Sequence, residues 1–277
     1  MQPKRVVLVT GAARGLGWGI ARAFGRAGVR VCVNDIDDAE LARCTQDLAA
    51  DGAEFVPRVF DVADLAEWTR AVGEIVDRWG RLDAVVHNAI YMPLIAFEAT
   101  TPAEWWRQIN VGLGGMFNGA HAAWRQMKAQ GGGHIIGIAS GSSIRGYREE
   151  IAYCAIKHGV EGFVKALSLE AGAHNIAVNT ISPGARIKPT RLTWAEYDRT
   201  PADERVGWTD PVELGKAWVW LAGQPPSRFN GYRFDAGPLV RTIAREGDDF
   251  EFAPEKATLY PDDFRVRQQW YGEQTRQ

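Results

Sequence analysis

Short apolar, β-branched stretches recur along the first two thirds of the chain. Their apolar residues form near-continuous runs rather than alternating with polar ones, which is typical of strands buried on both faces of a parallel sheet. This pattern predicts strands at residues 6–9, 29–33, 54–59, 82–87, 134–139 and 176–181.

Longer amphipathic segments separate these stretches. Their apolar residues recur at helical spacing, which predicts helices at residues 16–27, 39–50, 65–79, 102–129 and 151–173. Strand and helix thus alternate through the first 180 residues, and such alternation predicts right-handed βαβ crossovers. The expected fold class is α/β, with a single-domain Rossmann-type doubly wound parallel sheet and helices on both faces.

The rest of the chain is less regular. Residues 184–211 carry three prolines and predict a loop with one short helix. A helix at 212–222 and a last strand at 232–235 are expected to follow. From residue 238 the chain becomes charged and aromatic and loses its periodicity. We therefore predict one domain over residues 1–237 and a C-terminal tail, 238–277, that packs on its own or a neighbouring subunit.

Composition narrows the class of protein. The chain has 277 residues, of which 46% are hydrophobic and 24% charged, as in ordinary globular proteins. Its formal net charge of -2 lacks the basic excess that binding to nucleic acid or an acidic membrane requires. The apolar stretch near the N-terminus is too short for a signal segment or a membrane span. We expect neither a nucleic-acid nor a membrane partner.

The cysteines and histidines exclude further classes. The three cysteines, Cys32, Cys44 and Cys154, are odd in number and lack CxxC spacing. They are typical of reduced thiols, so we expect a cytoplasmic protein. The five histidines show no metal-ligand spacing, and we expect no metal site.

A glycine-rich turn, TGAARGLG, follows the first predicted strand. Gly11, Gly15 and Gly17 permit a tight turn and close approach of the backbone to a diphosphate, and Arg14 and Leu16 lie in the same turn. The helix that follows offers free N–H groups and the positive end of its dipole. Such turns also occur without a ligand, but the position between strand and helix favours a dinucleotide site.

Asp35 ends the second predicted strand, 18 residues after Gly17. A carboxylate at that place accepts hydrogen bonds from the adenosine ribose and repels a 2′-phosphate, which favours NAD over NADP. Arg14 is a weaker indication in favour of NADP, because an arginine in the loop is able to bind a phosphate. Alternatively, Asp35 and Asp37 cap the next helix, and of the two Asp37 is the better capping candidate.

Tyr153 and Lys157 are four residues apart in a predicted helix and therefore share one helix face. The pair alone is a weak signal, because a tyrosine that packs on a lysine stem has the same spacing. Ser140 follows the fifth predicted strand, where a parallel strand delivers side chains to a ligand crevice. Ser142 and Ser143 are its rivals in the same loop.

Taken in order, these features resemble the short-chain dehydrogenase/reductase family, NAD(P)-dependent oxidoreductases with TGxxxGxG and YxxxK motifs. The resemblance covers residues 3–237 and leaves the tail unmatched. The separation of Ser140 and Tyr153 by 13 residues also matches the family. Further matches follow predicted strands or lie in predicted helices and strands: Asp61-Val62, Asn88-Ala89, Asn110, Asn179 and Pro183-Gly184.

The resemblance implies a reaction and its catalytic residues. Tyr153 is expected to be the general acid/base, with Lys157 lowering its pKa and holding the nicotinamide ribose. Ser140 is expected to hydrogen-bond the substrate oxygen, and Asn110 to hold a water that links Lys157 to solvent. The implied reaction is hydride transfer between NAD and a secondary alcohol or ketone.

The resemblance also assigns residues to the cofactor. Asp61 and Val62 are expected to bracket adenine, and Asn88 to stabilise the crevice near the adenosine ribose. The expected cofactor residues are Gly11, Arg14, Gly15, Leu16, Gly17, Asp35, Asp61, Val62, Asn88, Ala89, Tyr153, Lys157, Pro183 and Gly184.

Three positions depart from the family pattern. Ile90 stands where a small residue is usual, and it either crowds the cofactor or shapes the substrate wall. Lys188 stands where a threonine often holds the nicotinamide carboxamide, with Thr190 as an alternative from a shifted loop. Asp235-Ala236-Gly237 stands where two glycines are usual. The surroundings of the nicotinamide are therefore less well predicted than the catalytic residues.

The substrate stays open among alcohols, sugars or polyols, and hydroxy acids, and so does the physiological direction. Apolar and aromatic residues flank the predicted crevice, although each also fits a packing role: Tyr91, Met92, Tyr147, Ile187, Trp194, Tyr197 and Trp208. Basic residues of two loops either meet an anionic substrate group or form solvated surface: Arg145, Arg148, Arg186, Lys188 and Arg191.

Two other functions compete with an NAD-dependent dehydrogenase. One is an NADP-linked ketoreductase, and the other is a catalytically idle NAD-binding sensor or interaction protein, against which the full catalytic set argues. Family members commonly form tetramers through two long helices, so we expect a homotetramer or a homodimer. The tail is expected to cover a subunit surface with its aromatic residues Phe250, Phe252, Tyr260, Phe264, Trp270 and Tyr271.

Overall fold

The structure is a computed structural model that describes residues 3–189 and 192–250. The described part of the chain contains one seven-stranded sheet in the order β3-β2-β1-β4-β5-β6-β7, parallel throughout. Its strands are β1 Val6–Thr10, β2 Arg30–Asp35, β3 Phe55–Val59, β4 Ala84–His87, β5 Gly133–Ile138, β6 Ile176–Ser182 and β7 Arg233–Asp235.

Helices connect the strands and cover both faces of the sheet. They are α1 Gly15–Arg26, α2 Asp38–Ala50, α3 Leu65–Trp79, α4 Pro102–Ile109, α5 Gly115–Ala129, α6 Ile151–Ala171, α7 Trp194–Arg199, α8 Pro211–Gly223 and α9 Ala236–Glu246. The predicted loop with one short helix after β6 is confirmed, with α7 as that helix.

Each face of the sheet packs on its own helical layer. On one face α1, α2 and α8 enclose fully buried side chains that include Phe24 and Trp218. On the other face α3, α5 and α6 pack around Trp68 and Met116. Because both faces are covered, the strands are apolar in continuous runs, and the predicted doubly wound parallel sheet is confirmed.

The chain changes direction across the sheet at β1. This strand pairs with β2 on one side and β4 on the other, because the connection after β3 returns past the centre of the sheet. In doubly wound sheets, ligands bind in the crevice outside the carboxyl ends of the strands at such a switch point. The glycine turn after β1 and the segments after β4 and β5 therefore meet at one edge.

The long helix predicted before β5 is two helices, α4 and α5, joined by a π-helical turn, Asn110–Gly114. Two glycines in or next to this π-helical turn, Gly112 and Gly115, pack closely against other segments. A Cβ on Gly112 would lie 2.6 Å from Ile156, and one on Gly115 would lie 2.6 Å from His87. Single π-helical turns inside helices are frequent at functional sites, and this one borders the crevice.

The structure corrects the start of the predicted tail. In place of an irregular segment from residue 238, α9 runs from Ala236 to Glu246 across the predicted domain boundary. Pro238 lies in its first turn, where a backbone N–H has no helical partner to lose. Leu239 is fully buried in the core on the face of the sheet that α1 and α8 cover. Helix α9 therefore belongs to the α/β core.

The chain beyond α9 also packs on its own subunit as far as residue 250. Phe250 is buried and stacks on Trp220 with ring centroids 5.3 Å apart, and its carbonyl accepts a hydrogen bond from Arg228 at 3.0 Å. The remaining aromatic residues predicted to cover a subunit lie outside the described residues, as do Thr190 and Arg191. They are Phe252, Tyr260, Phe264, Trp270 and Tyr271.

Candidate active site

A cavity of about 1110 Å³ opens at the carboxyl ends of the central strands. Every predicted catalytic and cofactor residue lines it except Gly17. Its volume lies at the upper end of the range for small-molecule sites, which suits a dinucleotide together with a small substrate. The fold thus gathers residues that are spread from Gly11 to Gly184 along the chain.

The glycine turn forms one wall of this cavity. Gly11 has a φ of +60°, and a Cβ there would lie 2.8 Å from the Ala89 Cα. Gly17 lies behind the turn, where a Cβ would be 2.1 Å from the Gly11 carbonyl oxygen. The Asn88 amide donates hydrogen bonds to the carbonyls of Thr10 and Gly11 at 3.0 and 2.9 Å. In this structure Asn88 therefore stabilises the conformation of the glycine turn.

The N-terminus of α1 completes a site for a diphosphate. Arg14 occupies the N-cap position without a side-chain capping bond, and the first turn holds no acidic residue. Gly15 and Leu16, the first residues of this turn, line the cavity. Uncapped N–H groups and the positive end of the helix dipole attract anions, so these residues fit the diphosphate of a nicotinamide dinucleotide.

Asp35 is held at the cavity wall by three backbone amides. Its carboxylate accepts hydrogen bonds from the N–H of Ala13 at 3.1 Å, of Ile36 at 2.9 Å and of Asp37 at 3.2 Å. Asp37 caps α2 by accepting from the Glu40 N–H at 3.0 Å. The helix cap is thus Asp37, and the fixed carboxylate of Asp35 faces the position expected for the adenosine ribose.

The turn after β3 forms the neighbouring part of the wall. The Asp61 carboxylate accepts from the Ala63 N–H at 2.9 Å. Val62 is buried, and its carbonyl accepts from Trp68 at 2.9 Å and from Asn118 at 3.1 Å. These bonds hold Asp61 and Val62 rigidly at the end of the cavity where adenine is expected.

Ser140 and Tyr153 meet at the other end of the cavity. Both side chains line the cavity, and the nearby Ser140 hydroxyl acts to lower the pKa of Tyr153. The Ser140 hydroxyl accepts a hydrogen bond from the Ser142 N–H at 3.1 Å. One helical turn after Tyr153, the ammonium of Lys157 lies 5.3 Å from the centre of the tyrosine ring. Two hydroxyls side by side are able to bind one substrate oxygen between them.

Burial controls the protonation of these groups. The ammonium of Lys157 donates to the Ile138 carbonyl at 2.7 Å, and burial lowers the pKa of Lys157 to about 8, against the opposing charge of Glu161. Burial raises the pKa of Tyr153 above its usual value, and the nearby Ser140 hydroxyl partly offsets this rise. The expected lowering of the Tyr153 pKa is absent in this geometry, because the ammonium bonds a carbonyl rather than the phenol. Tyr153 is therefore protonated at neutral pH and able to donate.

A buried ion pair lies next to the predicted catalytic residues Ser140 and Lys157. Glu161 lies one turn after Lys157, and its carboxylate is 3.1 Å from the guanidinium of Arg233 on β7, with exposed side-chain fractions of 8% and 5%. Glu161 also accepts from the Thr180 hydroxyl at 3.3 Å, and Arg233 donates to the Ser140 carbonyl at 3.1 Å. Sequence reasoning missed this pair. Its one signal was an acidic residue one helical turn after Lys157 on α6.

His87 is a second residue that the sequence analysis missed. Its ring nitrogens lie 3.2 Å from the Thr10 hydroxyl and 3.0 Å from the Gly112 carbonyl, which must accept. Burial, and secondarily Lys157, lower the pKa of His87 to about 4, so the ring is neutral at physiological pH. His87 thereby ties the π-helical turn to β1. Asn110, at the start of that turn, is exposed on the cavity wall.

The rival serines have other partners. The Ser142 hydroxyl donates to Glu150 at 3.0 Å, and the Ser143 hydroxyl accepts from the Ser140 N–H at 3.1 Å. Both side chains are buried. Ser142 and Ser143 therefore fix the loop that presents Ser140.

Ile90 and part of the predicted aromatic set border the substrate end. Ile90 lines the cavity and packs against Gly112, where a Cβ would lie 2.7 Å from its terminal carbon. The cavity wall also includes Tyr91, Met92, Tyr147, Ile187 and Arg145. Trp194 is buried, donates to the Ala13 carbonyl at 2.9 Å and contacts Tyr197, which stacks on Trp208. That group packs the loop against the glycine turn.

Within residues 3–189 and 192–250, no group of three or more His, Cys, Asp or Glu side chains is arranged to hold a metal ion. No helix within the same ranges is long and apolar enough to cross a membrane.

Comparison with known proteins agrees with this geometry. The short chain dehydrogenase family matches residues 5–199. The 3-alpha-(or 20-beta)-hydroxysteroid dehydrogenase of Mycobacterium tuberculosis is 35% identical over 240 residues, 85% of this chain and 90% of that protein. The D-threitol dehydrogenase of Mycolicibacterium smegmatis is 31% identical over 82% of this chain and 89% of its own.

A solved structure has the same fold. The crystal structure of a metagenomic short-chain oxidoreductase in complex with NADP superposes with a TM-score of 0.70 and 26% identity, over 82% of this chain and 94% of that one. The sequence motifs, the sheet order and the arrangement of Ser140, Tyr153 and Lys157 all indicate the same family. The chain belongs to the short-chain dehydrogenase/reductase family of nicotinamide-dependent oxidoreductases.

Proposed function

We propose that the protein transfers a hydride between NAD and a secondary alcohol or its ketone, with Tyr153 as general acid/base. The observation that carries the proposal is the placement of Ser140 and Tyr153 beside Lys157, on the wall of the cavity that the glycine turn borders. Two relatives are named as dehydrogenases of a hydroxysteroid and of D-threitol, both of which are alcohols.

Each side chain has a distinct role in the proposed reaction. When bound, the nicotinamide supplies or accepts the hydride at the substrate carbon. In ketone reduction Tyr153 donates its proton to the substrate oxygen while Ser140 donates a hydrogen bond to the same atom. In alcohol oxidation Tyr153 accepts that proton. Lys157 holds the nicotinamide ribose, and Asn110 holds the water through which protons reach Lys157 from solvent.

A substrate panel tests the proposed reaction. Because the relatives act on alcohols as different as a hydroxysteroid and a tetritol, the panel contains secondary alcohols, polyols, hydroxy acids and hydroxysteroids. We expect NADH formation, followed by its absorbance, with at least one class and the reverse reaction with its ketone. Lack of turnover in both directions, by protein that binds NADH, would argue for a binding protein and against the proposal.

Asp35 makes NAD the preferred cofactor in this proposal. Its carboxylate is fixed by three amides and repels a 2′-phosphate, whereas Arg14 on the same wall favours the NADP-linked alternative. Replacing Asp35 with alanine is expected to raise the ratio of kcat/KM for NADP to that for NAD about 10- to 100-fold, as removal of one nearby like charge allows.

The matched control for this substitution is Asp37→Ala. Asp37 carries the same charge two residues later but serves as the cap of α2. Its loss should lower stability by about 1 kcal/mol and leave the cofactor ratio unchanged. If Asp35→Ala and Asp37→Ala shift the ratio equally, the general charge of the loop, and not Asp35, sets the preference.

The proposal extends to assembly and location. Apolar side chains on the two long helices are exposed, with Phe117 on α5 at 50% and Leu169 on α6 at 85%, which supports a homotetramer or homodimer through these helices. Cys32, Cys44 and Cys154 are free thiols, which supports a cytoplasmic location. The tail beyond residue 250 is proposed to cover its own or a neighbouring subunit.

A further inference from the structure

Lys188 is a buried cation in the cofactor cavity. It lies in the loop between β6 and α7, is 5% exposed and lines the cavity wall. Its ammonium donates to the carbonyl of Leu192 and lies 3.5 Å from that of Pro189. Within residues 3–189 and 192–250, no carboxylate forms an ion pair with it.

The charge on Lys188 is poorly balanced. Burial, followed by the positive charge of Arg14, lowers the pKa of Lys188 to about 8, and Glu40 and Glu196 oppose this only through longer-range attraction. A buried ammonium without a close counter-ion is costly, because carbonyl dipoles replace the hydration of a full charge only in part. An anionic ligand at this place would therefore be bound strongly.

The position of Lys188 indicates which anion this is. A Cβ on Gly15 would lie 3.9 Å from the Lys188 Cε, so the lysine stem packs over the first residue of α1. The α1 N-terminus is uncapped, and Arg14 lies at its N-cap. Lys188, Arg14 and the first residues of α1 thus line the same part of the cavity wall.

We propose that Lys188 binds the diphosphate group of the dinucleotide cofactor and holds it against the N-terminus of α1. Where the family often has a neutral threonine, this chain has a cation, so its cofactor binding gains an ionic contact. This inference rests on the cofactor class of the proposed function, but it is independent of the alcohol that is oxidised and of the choice between NAD and NADP.

Nucleotide fragments separate this role from a structural one. ADP carries the diphosphate and adenosine does not, so both are measured by calorimetry, and NADH by fluorescence. Lys188→Met is expected to weaken ADP and NADH about 10- to 100-fold, the loss of one charge-assisted hydrogen bond, and to leave adenosine unchanged. Lys188→Arg should retain most of the affinity.

Salt and pH give a second readout. Raising the ionic strength should weaken ADP binding less in Lys188→Met than in the unmodified protein. ADP affinity should fall between pH 7 and pH 10 as Lys188 loses its proton, and Lys188→Arg should remove that fall because arginine stays charged. Arg14, Glu40 and Glu196 are the charged groups that act on Lys188.

Lys216→Met is the matched control. Lys216 lies on α8, where it forms an exposed ion pair with Glu213, and its removal should change neither ligand. Should Lys188→Met fail to fold, Lys188→Gln keeps a donor without the charge, and the same fragment comparison applies. Equal losses for ADP and adenosine, or an unchanged ADP affinity, would overturn the proposal.

The two proposals fail in different ways. If ADP binding depends on Lys188 but no alcohol or ketone is turned over, the proposed function fails alone. If alcohols are oxidised with NAD but ADP binding is indifferent to Lys188, the inference about Lys188 fails alone.

Discussion

Replacing Tyr153 with phenylalanine is expected to lower kcat about 10²- to 10⁴-fold, the range that general acid–base catalysis contributes. The substitution removes only the hydroxyl, which lies with Ser140 on the cavity wall. Burial raises the pKa of Tyr153, so this hydroxyl carries its proton at neutral pH and is the donor that the variant lacks. Steady-state kinetics with the substrate found in the panel measures the loss.

Binding experiments separate this effect from damage to the site. Tyr153→Phe should bind NADH within a few-fold of the unmodified protein, because the glycine turn, Asp35 and Lys188 are untouched. Tyr147→Phe is the matched control, since Tyr147 also lines the cavity but is 47% exposed. That variant should stay within a few-fold in kcat. A Tyr153→Phe protein with more than a tenth of normal kcat would refute the assigned role.

Removing the cation of the buried ion pair should have the largest effect on stability. Arg233→Met removes the guanidinium that pairs with the buried Glu161 carboxylate, and breaking a buried ion pair costs about 3–5 kcal/mol of unfolding free energy. It also removes the donor to the Ser140 carbonyl, so we expect kcat to fall as well. Urea denaturation followed by tryptophan fluorescence measures the loss of stability.

The double variant Arg233→Met/Glu161→Met tests the reason for that loss. Well-packed apolar residues often replace a buried ion pair without loss of stability, so the double variant should recover much of the deficit. Lys216→Met, which breaks an exposed pair, should cost less than about 1 kcal/mol. If Arg233→Met is no less stable than Lys216→Met, the pair does not support the site as inferred.

Rules of local backbone geometry were sufficient to predict the proximity of Tyr153 and Lys157 and the position of the glycine turn. Tyr153 and Lys157 are one helical turn apart, and this spacing holds in any α-helix. Gly11 and Gly15 both have a positive φ, a backbone conformation that glycine adopts readily. Ser140 was predictable because parallel strands end at one edge of the sheet. Each of these inferences required only short-range geometry.

Interactions between distant segments were not predictable in this way. Glu161 on α6 pairs with Arg233 on β7, and His87 on β4 lies against a carbonyl of the π-helical turn. A single sequence records no partner for such buried polar groups. The same holds for α9, whose Leu239 is helical and buried because it packs on the layer of α1 and α8.

The sequence by itself determined the parallel α/β architecture and named the residues proposed to carry the chemistry, because hydrophobic periodicity, glycine conformation and helical spacing are local properties. The tertiary structure decided the electrostatic state of those residues. It buries Lys157, so that its pKa falls to about 8, brings the charge of Glu161 to act on it, and pairs Glu161 with Arg233. It also folds Lys188 over the first turn of α1. Burial and charge proximity arise only when distant segments meet, and therefore only the folded chain sets them.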